Sequence, residues 1–473
     1  MEENIKIKKG IIYVFISNVI NLAISLFSGF VLPKYLSIET YSNIKLFQLY
    51  ITYTGIAHFG FSDGMYLRNG GKTLESVNKK EVIEEFFTFK VFQFVMTILA
   101  ILIAIGLQNE MLLLCAIVIL PINISNYIRS LYNSIGLFKK YSKYTNINTI
   151  MIFVINIILL LIIKTDYYLT YLIAYIIMYF AYWCFIEIEN KKIFGKTEPK
   201  FKTKYLTENI KNGFSLLIGN FCNVIFTSVD RIFVKYLYGM IKFAYYSFAV
   251  SIENLLNVFI TPISTVMYNY FCINKKREQI VNVKKYIMLF STVIIIVMFP
   301  AKWVINIWLT KYEDALNVLC LLIAAQYMAI MVRCVHVNLY KAEKKQNKYF
   351  KIMITIVFIS IVLNCIAWWS NSNMIGIATA TLLTNIVWFI IGELDFKAYR
   401  LKIYDYIYIF TILILFIGCN FISNAIVAAI IYCLMSIVIS IIFEKEIIYQ
   451  IKKLVLNFLK INMLKGNNKR NYE

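Results

Sequence analysis

Four asparagines carry the first chemical signal. Asn18 and Asn21 stand three apart in an apolar run, and Asn220 and Asn223 repeat that spacing some 200 residues later. Residues three apart share a helix face, so each pair presents two amides in one direction. Two such faces turned together would offer donors and acceptors to a hydroxyl-rich solute. Single Asn and Ser residues also stitch membrane helices together at about 0.6 kcal/mol each, so the clustering of these groups, more than any one of them, carries the reading. The second run, residues 210–239, also holds Asp230, Arg231 and Lys235. A charge within a spanning helix costs roughly 2.5–3.5 kcal/mol, so it normally faces a partner or a water-filled cavity. Asp230 beside Arg231 suggests a local ion pair, with Glu253 as a second counter-ion.

Other in-span charges follow the same logic. Asp63, Arg129, Arg333 and His336 fall toward one end of their runs. A guanidinium binds phosphate in a fork, so Arg129 and Arg333 would draw a phosphate-bearing substrate, although either could be an interfacial anchor. The acids Asp63, Asp230 and Glu253 are candidates to take up H⁺ or Na⁺ during transport, and each could equally be part of a structural pair. The substrate-binding set is therefore Asn18, Asn21, Arg129, Asn220, Asn223, Arg231 and Arg333. No metal site is expected: the two histidines, His58 and His336, make no cluster, and none of the nine cysteines forms C-x-x-C. The glycines at 60, 64, 70 and 71 match no phosphate-binding loop. No cofactor is expected, and no enzyme activity.

These residues need long apolar elements to position them. With 60% hydrophobic residues and a mean hydropathy of +0.69, the 473-residue chain holds more apolar side chain than a soluble fold can bury. Spans need about 20 mostly apolar residues. Fourteen runs qualify: 10–32, 44–66, 87–107, 111–133, 146–164, 167–188, 210–238, 243–271, 286–309, 315–340, 350–369, 374–396, 404–422 and 424–443. Each must be helical, because backbone exposed to lipid has to satisfy its own hydrogen bonds. The first run is too long for a signal-peptide core and reads as a retained helix.

The formal charge of +22 would suggest nucleic acid in a soluble chain. Here its distribution makes it a statement of topology. With the N-terminus inside, every cytoplasmic segment carries at least three of the 48 Lys and Arg. The outer segments hold only Lys34, Lys45, Lys164, Lys235, Lys242, Lys302 and Lys311. That is the positive-inside bias, and it places both termini in the cytoplasm. A basic linker, 190–207, divides the chain after six spans. Because six is even, a second set enters the membrane the same way, giving parallel repeats about an axis along the membrane normal. The expected organisation is an all-α polytopic membrane protein. Six-helix bundles at 1–200 and 201–402 are related by pseudo-twofold symmetry, with two peripheral helices at 403–443 and a basic amphipathic tail at 444–473 that lies among anionic headgroups. Pro121, Pro262 and Pro300 are expected to bend their helices.

Two stretches carry a family resemblance. HFGFSDGMYLRNGGK (58–72) and SVDRIFVKYLYGMIKFAYYSFA (228–249) resemble polysaccharide repeat-unit flippases of the multidrug/oligosaccharidyl-lipid/polysaccharide exporter superfamily. The motifs span about a tenth of the chain, the helix order nearly all of it. Lys235-Tyr236 departs from the family, which usually has a neutral segment there. The resemblance implies a twelve-helix core with two added helices. It would carry an undecaprenyl-pyrophosphate-linked oligosaccharide from the inner to the outer leaflet of a bacterial plasma membrane by alternating access, for capsule or O-antigen synthesis. A polysaccharide polymerase and glycosyltransferases would be its partners. Other readings are a cation-coupled multidrug-type exporter, which wants an acidic, aromatic cavity, a membrane polysaccharide polymerase, which wants a large outer loop or paired carboxylates, and a scaffold, which needs no repeated N-x-x-N.

Overall fold

The computed structural model describes residues 22–195, 199–370 and 373–470, with the side chains of all of these except 269 and 450–470. Asn18 and Asn21 therefore lie outside the described residues. Among those described there is helix and no strand. In order they are α1 (Leu22–Tyr35), α2 (Ile38–Ile51), α3 (Phe61–Asn69), α4 (Lys79–Gly106), α5 (Glu110–Ser134), α6 (Phe138–Ile163), α7 (Tyr168–Phe194), α8 (Thr203–Phe226), α9 (Val229–Ile273), α10 (Arg277–Trp308), α11 (Thr310–Ala342), α12 (Gln346–Trp369), α13 (Met374–Asp395), α14 (Ile403–Asn420) and α15 (Ala425–Arg470).

Eleven helices among the described residues are long and apolar enough to cross a bilayer, three fewer than the fourteen expected. The first expected span is described only as the shorter α1. The second breaks between α2 and α3, where a 3-10 turn runs over Thr54–His58 and then Phe59 (φ 48°) and Gly60 (φ 86°) turn left-handed. The seventh divides at Thr227 and Ser228: its first half, α8, is too polar to count, and its second half runs on into the eighth as α9, across a kink at Gly239 (φ 81°). The chain is a multi-pass membrane protein.

Local sequence sets the ends of these helices. Ser37, Asn78, Asn109 and Asn373 accept first-turn amides of α2, α4, α5 and α13, as short polar side chains do at helix starts. A proline clashes with the carbonyl four residues back. That falls at Ile117 for Pro121, where α5 is interrupted at Val118, and at Ile296 for Pro300, inside a 3-10 turn of α10. Exposed apolar residues such as Leu102, Ile177, Phe358 and Ile442 suit a lipid solvent.

The chain divides into two compact units, one reaching to Ser251 and the other starting at Ile252. The division falls beyond the basic linker, because α8 packs on α3. In the first unit, Phe61, Phe89, Tyr127 and Tyr182 form the core, with Phe89 stacked on Tyr127 at 4.7 Å. The linker is tied down as well. Lys202 pairs with Glu84 at 2.5 Å, and that bond raises the Lys202 pKa. In the second unit α11 is the buried axis, with every residue from Val318 to Met331 except Leu321 buried. α15 bends at Glu444 (φ −127°), whose carboxylate Lys285 holds at 2.9 Å while also pairing with Asp405 at 2.8 Å.

Candidate functional site

The polar face of the seventh expected span is turned onto the broken second one. α8 crosses α3 with its backbone almost touching. A Cβ on Gly60 would sit 2.7 Å from the Gly213 carbonyl carbon, one on Gly64 would meet the Asn209 carbonyl, and one on Gly213 would meet Gly60 and Gly64. Gly60 and Gly64 thus form a G-x-x-x-G face for close helix approach, a signal available in the sequence but not read from it above. On one side of the crossing Arg68 and Asn209 both hold the carboxylate of Glu85, which is fully buried.

On the other side the contacts form a ladder. Asn220 Nδ2 donates to Asp63 Oδ1 at 3.3 Å, the Tyr53 and Ser228 hydroxyls share a hydrogen bond, and Lys235 Nζ donates to the Tyr50 hydroxyl at 2.5 Å. As the number rises on one strand of this ladder it falls on the other, as it must for antiparallel neighbours. Asp230 is 7% exposed and accepts from Tyr246 Oη at 2.9 Å and from the Arg231 amide at 2.7 Å. The Arg231 guanidinium donates to the Thr227 carbonyl at 3.1 Å. The expected Asp230–Arg231 side-chain ion pair is thus not found among the described residues. Consecutive helix side chains diverge and cannot face each other. Asn223 is exposed. Two buried atoms of the ladder, Asp63 Oδ2 and Arg231 Nε, have no hydrogen-bond partner, although His58 Nε2 lies 4.0 Å from the former. Buried polar atoms are nearly always satisfied, which sets these two apart from their neighbours in the ladder.

The second unit has its own ladder, between α11 and the part of α9 beyond Ile252. Gln326 Nε2 donates to Glu253 Oε1 at 2.6 Å, Arg333 donates to Asn257 Oδ1 at 2.8 Å, and Asn338 Nδ2 donates to the Ser264 carbonyl at 2.9 Å. Here both numbers rise together, as parallel helices require. Glu253 was expected beside Arg231 and instead meets Gln326. Val332–His336 is a π-turn, a form frequent at functional sites. It frees the Arg333 carbonyl to accept from Ser264 Oγ at 3.1 Å and from Asn338 at 3.2 Å. Arg129 bonds within its own helix, to Asn126.

One cluster escaped the sequence reading. Glu393 on α13 accepts from Lys284 Nζ at 2.6 Å and Tyr406 Oη at 2.7 Å, and His336 Nε2 lies 2.8 Å away. His336 packs directly on Gly392. The Lys284 and Glu393 side chains are 0% and 4% exposed.

No protein-family model and no curated protein matches this chain. Among solved structures it is similar to the lipid II flippase MurJ in an inward closed conformation. That match covers 93% of this chain and 99% of the other, at 17% identity and a TM-score of 0.64. It is also similar to a multidrug resistance MATE family transporter of the MOP superfamily in an inward-facing conformation, over 84% and 95% of the two chains, at 12% identity and a TM-score of 0.56. At such identities the likeness is one of architecture, and the chain has the transporter fold that the lipid II flippase shares with the multidrug exporters of the MOP superfamily.

Proposed function

We propose that this protein is a flippase that carries a lipid-linked oligosaccharide repeat unit from the cytoplasmic to the outer leaflet of a bacterial plasma membrane, by alternating access. The observation that carries the reading is the ladder between α8–α9 and α2–α3, which gathers amide, hydroxyl, carboxylate and guanidinium groups within a largely apolar chain. A sugar head needs such hydrogen-bonding groups to leave water, whereas its lipid tail needs none. Arg129 and Arg333 draw the substrate phosphates, Arg231 belongs to the same lining, and Asn220 and Asn223 meet hydroxyls. Asn18 and Asn21 belong to the same set. Asp63 takes up H⁺ or Na⁺, and Asp230 and Glu253 serve as fixed counter-charges. Both termini lie in the cytoplasm, and glycosyltransferases and a polymerase work on either side of the step, toward a capsule or related surface polysaccharide.

The test is transport of a fluorescent undecaprenyl-pyrophosphate oligosaccharide in proteoliposomes. Arg231→Ala and Arg333→Ala should each cut the rate by at least tenfold while the proteins still reconstitute. Normal rates in both would sink the assignment. The unpartnered Asp63 Oδ2 favours a second reading, export of a small cation coupled to H⁺ or Na⁺. Uptake of a cationic dye by the same vesicles, lost in Asp63→Asn, would favour that reading instead.

A further inference from the structure

Lys235, which departs from the family pattern, stands at the junction of two hollows of the first unit. One, of about 620 Å³, is walled by Ile56, Phe59, Leu99, Ala100, Ile103 and Ile119, with the Tyr50 and Tyr236 rings at its rim. Phe59 and Ile103 are 42% and 63% exposed, so the hollow opens sideways. The other, of about 350 Å³, is lined by Asn43, Gln108, Asn109 and Glu110 together with Lys235.

The chemistry of the pair is that of an amphiphile with a phosphate at its waist. The ammonium of Lys235 lies 4.9 Å from the centre of the Tyr50 ring and 4.4 Å from that of Tyr236, which holds it in place through cation–π attraction. One of its three N–H groups is taken by the Tyr50 hydroxyl, and no carboxylate among the described residues is within ion-pair reach. Asn43 uses its Nδ2 on the Glu39 carbonyl, and Asn109 its Oδ1 on the Leu112 amide. The Asn43 oxygen and the Asn109 nitrogen are left for a ligand. Glu110 accepts from hydroxyls but repels a second anion, so the head bears hydroxyls and no further negative charge.

We propose that these hollows form one binding site for a singly anionic, hydroxyl-headed phospholipid: one acyl chain in the apolar hollow, the phosphate on Lys235, and the head among Asn43, Asn109 and Glu110. The site adjoins the solute path at the Lys235–Tyr50 rung, and the proposal does not depend on which solute the transporter carries.

Native mass spectrometry of the full-length protein, with dioleoylphosphatidylglycerol titrated into the detergent, tests this. Wild type should take up one lipid tightly before any others. Lys235→Ala and Ala100→Phe, which fills the apolar hollow, should each weaken that first adduct at least tenfold, and Lys235→Arg should keep it. Lipid-free thermal unfolding confirms that each variant is folded. Dioleoylphosphatidylcholine, whose head has no hydroxyl, should bind at least tenfold more weakly than the glycerol lipid, and sn-glycerol 3-phosphate should not bind. Wild-type affinity in Lys235→Ala or Ala100→Phe overturns the proposal. So does equal binding of the choline lipid, or binding of glycerol phosphate without its chains.

Discussion

The two units fasten the same pair of helices in different ways. In the first, α4 and α7 are joined by Lys90 and Glu187 at 2.7 Å, with side chains 27% and 11% exposed. Lys191 lies 3.2 Å from the same carboxylate, and Trp183 Nε1 donates to it at 2.8 Å. In the second unit the corresponding third and sixth helices of the expected repeat, α10 and α13, are joined by Lys284 and Glu393 with almost no exposure. An aromatic donor again completes the carboxylate, here Tyr406. A half-wet ion pair is worth about 0–1 kcal/mol. A dry one must be complete, because removing one partner strands a charge. The first unit compensates with the glycine crossing of α3 and α8, where backbone meets backbone.

This contrast can be broken at several points. Lys284→Ala leaves Glu393 buried with only His336, Tyr406 and the Leu401 amide beside it, and should destabilise the protein by about 3–5 kcal/mol, seen as a lowered thermal unfolding midpoint in detergent. Gly213→Ala drives a methyl group into the Gly60 and Gly64 backbone, and should lower stability by about 1–3 kcal/mol in the same measurement. If it unfolds like wild type, the crossing is looser than described. Lys90→Ala should change stability by at most about 1 kcal/mol, because Lys191 remains on Glu187 and water reaches both. An effect as large as that of Lys284→Ala would erase the distinction between the two units.

Much of this was legible in the sequence, and what was not has physical reasons. Apolar run length predicted helices where the structure has them, since a membrane leaves the backbone no alternative. It could not predict the break after α2, because Phe59 in a left-handed turn is sterically disfavoured and held there only by its surroundings. Asn220 was expected on a lined face and meets Asp63, but both it and its companion Asn223 are exposed. Spacing fixes a helix face but not what lies opposite. Glu253 was expected as a counter-ion near Arg231 because both fall at the same depth of adjacent spans, whereas the fold brings it to Gln326. The Lys284–Glu393–His336 cluster joins three helices through residues far apart in the chain, whose meeting no single run reveals.

The glycine crossing has one more consequence. Most packed helices interlock, so turning one against another means lifting side chains out of their sockets. At Gly60, Gly64 and Gly213 there is nothing to lift. The contact is a smooth bearing, and what resists turning α8 on α3 there is the flanking hydrogen bonds of Asn209 to Glu85 and of Asn220 to Asp63.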